Sequence, residues 1–210
     1  MTPVPRSALA LAVILAALAG GGPEAPRAAA TTATTAAAPR GIDVLFARMM
    51  VAHHAQAVRL SRIMVTKPGL SERVFRIADF IAHDQQREID ETNAWLVAWG
   101  HPAADPADPA LRRMRGGDAA AHGMLTEEQV REVGSAPPAT AARLFLRRMI
   151  AHHTGAITMA RSVLEAGGNA YIHNLAAHIV NTQTAENDAM RTLLVARGCR
   201  PGIRSRAGCI

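Results

Sequence analysis

Apolar residues recur at helical spacing over four long stretches of this chain, and no stretch shows the two-residue alternation of a strand. Phe46, Met50, His53, Ala57, Leu60 and Met64 form one stripe; Phe145, Met149, His152, Ala156, Met159 and Val163 form another. The ends of the stretches carry helix punctuation. The first predicted helix starts after Asp43, read as its N-cap, and runs to about Thr66, before Lys67-Pro68-Gly69. The second opens at Ser71 and stops at Gly100, with Pro102 beyond. The third begins near Thr140, behind Pro137 and Pro138, and ends at Gly167 and Gly168. The fourth is capped by Asn169 and ends at Gly198. A short helix is expected between the halves, with Thr126 and Gln129 in capping-box spacing and an end by Gly134.

The halves repeat. Phe46, Met50, His53, His54, Ala57 and Val58 map onto Phe145, Met149, His152, His153, Ala156 and Ile157 with a constant offset of 99. Ile81, Gln85 and Glu88 match Ile179, Gln183 and Glu186 with an offset of 98. Two tandem hairpins, each apolar on one side, predict an all-α four-helix bundle over 43–197. Repeat one covers 43–100 and repeat two 140–197, joined by a linker, 101–139, long enough for a crossover.

The N-terminus reads differently. Arg6, then the apolar run Ala8 to Ala19, then small residues predict a signal peptide over 1–30. Twelve apolar residues are too few to span a bilayer, so the expectation is an extracytoplasmic protein with no membrane insertion after the signal is removed. Residues 31–42 read as a low-complexity, disordered spacer and 198–210 as a C-terminal tail. That tail holds Cys199 and Cys209, for which an oxidising compartment favours a disulfide. Net charge is +6, and loss of Arg6, Arg27 and Glu24 with the signal leaves +5. The arginines are dispersed and only 3% of residues are aromatic, which argues against nucleic-acid binding.

The chemistry lies in the stripes. His53 and His152 sit on the predicted seams, while His54 and His153 sit on the adjacent apolar stripe. A lone core histidine is usually satisfied by a polar neighbour. Four at repeat-related positions each add a polar ring whose burial without a partner costs about 1–3 kcal/mol. A metal ion satisfies several imidazoles at once. Met50 precedes His53 and His54 by about one turn, Met149 does the same for His152 and His153, and Met159 follows His152 by two turns. Methionine is more often core filler than ligand, but imidazole with thioether is a soft set suited to copper, Cu(I) above all. A di-iron site would need inward glutamates in Glu-x-x-His spacing, which Glu88 and Glu186 lack. Gln85, Glu88, Gln183 and Glu186 read as solvated or interhelical polar contacts, with support of the histidines as the sharper alternative. His83 and His178 do not match across the repeat and are read as non-ligands; His101, His122 and His173 read as ordinary surface or loop residues.

The segments Phe46–Ser61, Phe145–Ala160, Ile179–Glu186 and Gly123–Val130 together resemble the domain-of-unknown-function family numbered 305. The resemblance spans about Asp43 to Leu194. It implies a ferritin-like four-helix bundle, usually exported, some of whose relatives bind copper through His and Met and are linked to copper resistance. The carried-over ligands are Met50, His53, His54, Met149, His152 and His153. Met159 fits the second copy, where the first has Leu60. The expected function is copper sequestration or transfer, as Cu(I) or Cu(II), without catalytic turnover; the alternatives are a copper-dependent redox enzyme and a metal-free helical interaction module. A metal ion is the expected partner, and self-association is left open.

Overall fold

A computed structural model describes residues 37–107 and 122–198. Five helices and no strands occur among them: α1 (Gly41–Val65), α2 (Glu72–Ala98), α3 (Glu127–Ser135), α4 (Pro138–Ala166) and α5 (Ala170–Gly198). The signal peptide, half of the spacer (31–36), the middle of the linker (108–121) and the cysteine-bearing tail lie outside the described residues.

Most helix ends sit where local chemistry puts them. Ser71 precedes α2, and Pro138 opens α4 at a position whose N–H needs no helical partner. Thr126 and Gln129 exchange both bonds of a capping box, and Asn169 Oδ1 accepts the N–H of Tyr171 at 3.0 Å. Asp43 departs from its expected role. The helix begins earlier, with Arg40 at the N-cap. The fully buried Asp43 carboxylate accepts the backbone N–H of Arg40 at 2.7 Å and that of Gly168 at 3.1 Å. It therefore ties the start of α1 to the α4–α5 turn, because a partner distant in sequence competed for its oxygens.

The long helices pair as two hairpins, α1 with α2 and α4 with α5, and α1 packs on α4. Both predicted stripes are buried along their whole length. The core divides into two apolar clusters. Phe46 and Met50 of α1, Trp95 of α2, Met159 and Val163 of α4 and Ile179 of α5 belong to one. Leu60 and Met64 of α1, Val74 and Ile81 of α2, Phe145 and Met149 of α4 and Met190 of α5 belong to the other. In each of the four helices, polar buried residues fall between these groups: His53–His54, Asp84–Glu88, His152–His153 and Gln183–Asn187. The order of the clusters along each helix makes α1 antiparallel to α4 and α2 antiparallel to α5.

The described ends of the connection between hairpins lie at different heights of the bundle. The connection leaves α2 with Ala104 in the first cluster and re-enters at His122 beside the polar layer, and Leu125 joins the second cluster. Leu125 exchanges two bonds with the Gln56 amide, 2.8 and 2.9 Å, which fix its height on α1. Two glycines admit the segment. Gly123 has φ +72°, a conformation other residues rarely adopt, and Gly155 on α4 faces the His122 backbone so closely that any Cβ would collide with it. Gly155→Ala is expected to destabilise by about 1–3 kcal/mol through this overpacking. Gly41→Ala, where nothing lies within 4 Å, should change stability little. Urea unfolding of both variants checks this; equal stability would mean the linker does not press on α4.

Candidate metal centre

His53 from α1 and His152 from α4 meet across the helix seam, their ring centroids 3.7 Å apart and their planes tilted by 34°. His54 and His153 flank the pair at 6.4 and 6.3 Å from their chain neighbours, with nearly equal tilts of 60° and 55°. The arrangement has the near-symmetry that the sequence repeat demands. All four histidines are buried, at 0–2% exposure.

Each outer histidine turns to a carboxylate on its own hairpin. His54 Nε2 lies 2.7 Å from Glu88 Oε2, and His153 Nε2 lies 2.7 Å from Glu186 Oε2. Both approaches are short but lie off the line of a well-directed hydrogen bond. Burial favours protonation of Glu88, but the close approach and charge of His54, with the charges of His178 and Arg87, outweigh it and hold the carboxyl below its usual range. Its ionised oxygen can only accept, so the hydrogen between the two atoms belongs to His54 Nε2. His53 is fixed in the same way by the His122 carbonyl, 3.0 Å from Nε2. The Nδ1 atoms of all four rings have no hydrogen-bond partner, and neither nitrogen of His152 has one. The His53 carbonyl lies near the His152 ring without completing a bond.

Burial, as the largest cause, decides the charge of His53, His152 and His153. His53 and His153 are pushed down to about 3, and His152 goes well below its ordinary value. For His53 the His122 carbonyl opposes the burial effect without overcoming it. These three imidazoles are neutral near pH 7, which is the form that ligates metal. Glu186 goes the opposite way: burial and the nearby charges of Asp84 and Glu88 push it up to about 8.

The thioethers lie above and below this layer. Met50 and Met159 belong to the apolar cluster on one side and Met149 to the cluster on the other. The histidines do not all converge. Among the described residues, the trio of His and acidic side chains whose ligand atoms all lie within 4.8 Å is Asp84, Glu88 and His178, and no three of the four repeat histidines meet that spacing. His53 and His152 are the pair brought into contact. Their nitrogen lone pairs lie in the ring planes, so His53 and His152 would hold a shared ion through their ring edges, as neutral imidazole donors.

Three features depart from the reading of the sequence. Glu88 and Glu186 are 5% and 7% exposed and make interhelical contacts with His54 and His153, so of the readings open to them the solvated one falls and support of the histidines remains. Their matching 98-residue offset was the available signal. His122 is no ordinary loop residue, since its carbonyl holds His53 and its Nδ1 is buried without a partner. His178 reaches Glu88 at 3.6 Å. His83 and His173 bond only to backbone carbonyls nearby and, for His83, to Asp79, away from the layer.

Comparison with known proteins agrees with this architecture. A DUF305 fragment from Deinococcus radiodurans is 31% identical, covers 76% of this chain and 99% of its own, and has a TM-score of 0.66. A DUF305 protein from Streptomyces coelicolor is also 31% identical, with coverages of 78% and 98% and a TM-score of 0.64. CopM in its Cu(II)-bound form shares the fold at 23% identity, with coverages of 73% and 96% and a TM-score of 0.59. No curated protein matches. None of the described helices is long and apolar enough to cross a membrane. The model of the family Domain of unknown function (DUF305) matches residues 43–194, and the chain belongs to that family.

Proposed function

We propose that this protein binds copper and sequesters or passes it on outside the cytoplasm. The observation that carries the reading is the buried His53–His152 pair with its unpartnered ring nitrogens. A fold that hides such groups gives up about 1–3 kcal/mol for each unsatisfied one, and a metal ion removes that cost. His54 and His153 stand beside the pair, each with a buried carboxyl group 2.7 Å from its Nε2, the kind of neighbour that supports ligating imidazoles. Met50, Met149 and Met159 supply soft sulfur from the adjoining layers, which favours Cu(I) over zinc. Burial of all four rings favours holding an ion over turning over an external substrate. CopM is described in Cu(II)-bound, Cu(I)-bound and Ag-bound forms. At 23% identity the likeness speaks for the fold alone. The basic, apolar and small order of the N-terminal segment supports export.

The test is competition with a chromophoric Cu(I) chelator. The wild type should withdraw Cu(I), and a variant with His53, His54, His152 and His153 all changed to alanine should do so at least ~100-fold less well, about 3 kcal/mol of lost binding. Circular dichroism reports whether the variant keeps its helices. Equal, weak competition by both proteins would end the copper reading.

A further inference from the structure

A second cluster of ligand atoms lies at the seam between α2 and α5. Asp84 and Glu88 stand one turn apart on α2, and His178 reaches across from α5. One ligand atom from each falls within 4.8 Å of the others, and His178 Nε2 is 3.6 Å from Glu88 Oε1. Both carboxylates are more than nine-tenths buried, while the His178 side chain is 49% exposed.

An independent observation also points to a ligand here. Glu186 on α5 is 7% exposed, and its Oε1 has no partner at all. Glu186 lies close enough to Asp84 and Glu88 to feel their charges, so three carboxyls crowd one buried region. Buried carboxylates need a compensating cation. Arg87 meets Asp84 from an exposed position, and Glu88 divides its two oxygens between His54 and His178. Positive charge is short in this layer.

We propose that Asp84, Glu88 and His178 form a second metal site, selective for a borderline divalent cation such as Zn²⁺ and separate from the soft imidazole–thioether centre. Two carboxylate oxygens and one imidazole nitrogen, with no sulfur, suit zinc, and the half-exposed edge at His178 leaves room for water as the fourth ligand. Ligands ~2.1 Å from a tetrahedral zinc stand roughly 3.4 Å apart, so closing the trio asks for a small swing of the half-exposed His178, which would give up the 3.4 Å contact of its Nε2 with Thr182 Oγ1. The repeat explains why the site is single. At the 98-residue offset Asp84 corresponds to Thr182 and His178 to Phe80, neither of which reproduces the set.

The test is Zn(II) titration by calorimetry of protein whose copper centre has first been filled with one equivalent of Cu(I). The wild type should take up one zinc ion. Asp84→Asn and His178→Ala should each weaken that uptake at least ~10-fold, about 1.4 kcal/mol, while leaving Cu(I) competition unchanged. His152→Leu should leave zinc uptake intact, measured on the metal-free protein. No zinc uptake by the wild type would overturn the proposal, as would zinc binding lost in His152→Leu but kept in Asp84→Asn and His178→Ala. Should the wild type fail to hold Cu(I) yet lose zinc in the Asp84 and His178 variants, the copper reading falls and this site stands.

Discussion

Replacing His152 with leucine is expected to stabilise the metal-free protein by about 1–3 kcal/mol while lowering its Cu(I) affinity at least tenfold. Both ring nitrogens of His152 are buried without hydrogen-bond partners, and the ring lies 3.7 Å from that of His53. Leucine has nearly the same bulk and no polar atoms, so the unmet polar groups disappear without leaving a cavity. A histidine kept for structure would behave in the opposite way, because its removal would break a bond that holds the fold. The sign of the stability change therefore separates a ligand from a core contact. Urea unfolding of chelator-treated protein and Cu(I) competition, run on the same variant, read both quantities. A leucine variant that is less stable and binds copper like the wild type would refute the assignment of His152.

Acidifying the metal-free protein from about pH 6.5 to 5 is expected to lower its stability steeply, and Cu(I) should suppress the loss. His53 and His153 titrate near 3 in the folded state and His152 well below its ordinary value, whereas their unfolded counterparts titrate near 6.5. As the pH falls through 6.5 the unfolded chain gains protons that the folded one refuses, so each of the three favours unfolding by about 1.4 kcal/mol per pH unit. Glu186 acts in the other direction. Its folded value of about 8 means the native state keeps a proton that the unfolded chain releases above its model value of 4.5. Acidification over this window thus recovers stability at Glu186 and cancels roughly one histidine. Glu88 is held low and supports the fold above 4.5, so its contribution fades only in more acidic solution. The net slope is at most roughly 3 kcal/mol per pH unit. A bound ion occupies the neutral imidazoles and stabilises the fold by mass action. Denaturation midpoints at about pH 7, 6 and 5, with and without Cu(I), measure the effect. A flat profile without metal would show that the rings are not buried as neutral groups.

Legibility of this protein in its sequence follows from the range of the interactions. The two stripes were readable because helical periodicity is a local property, and every position of both proved buried. The caps at Thr126 and Asn169 were readable because each bonds within three residues of itself. Asp43 misled as an N-cap for the converse reason: its carboxylate also serves Gly168, 125 residues away. Glu88 and Glu186 carried a faint signal in the repeat offset. Their aim at His54 and His153 depended on how each hairpin packs, since the same residues turned outward would be solvated. His122 and Gly155 gave no sign of their meeting, which depends on the path of a long linker past α4.

By itself the sequence determined the helices, the duplicated hairpin and the four imidazoles that share buried stripes with methionine, all consequences of spacing along one chain. Only the tertiary structure decided that His53 and His152 are the pair in contact, that carboxyl groups from α2 and α5 lie against the outer rings, and that Asp84, Glu88 and His178 converge. Helical spacing sets the face a side chain takes, whereas the distance between faces on different helices is set by the packing of the whole core.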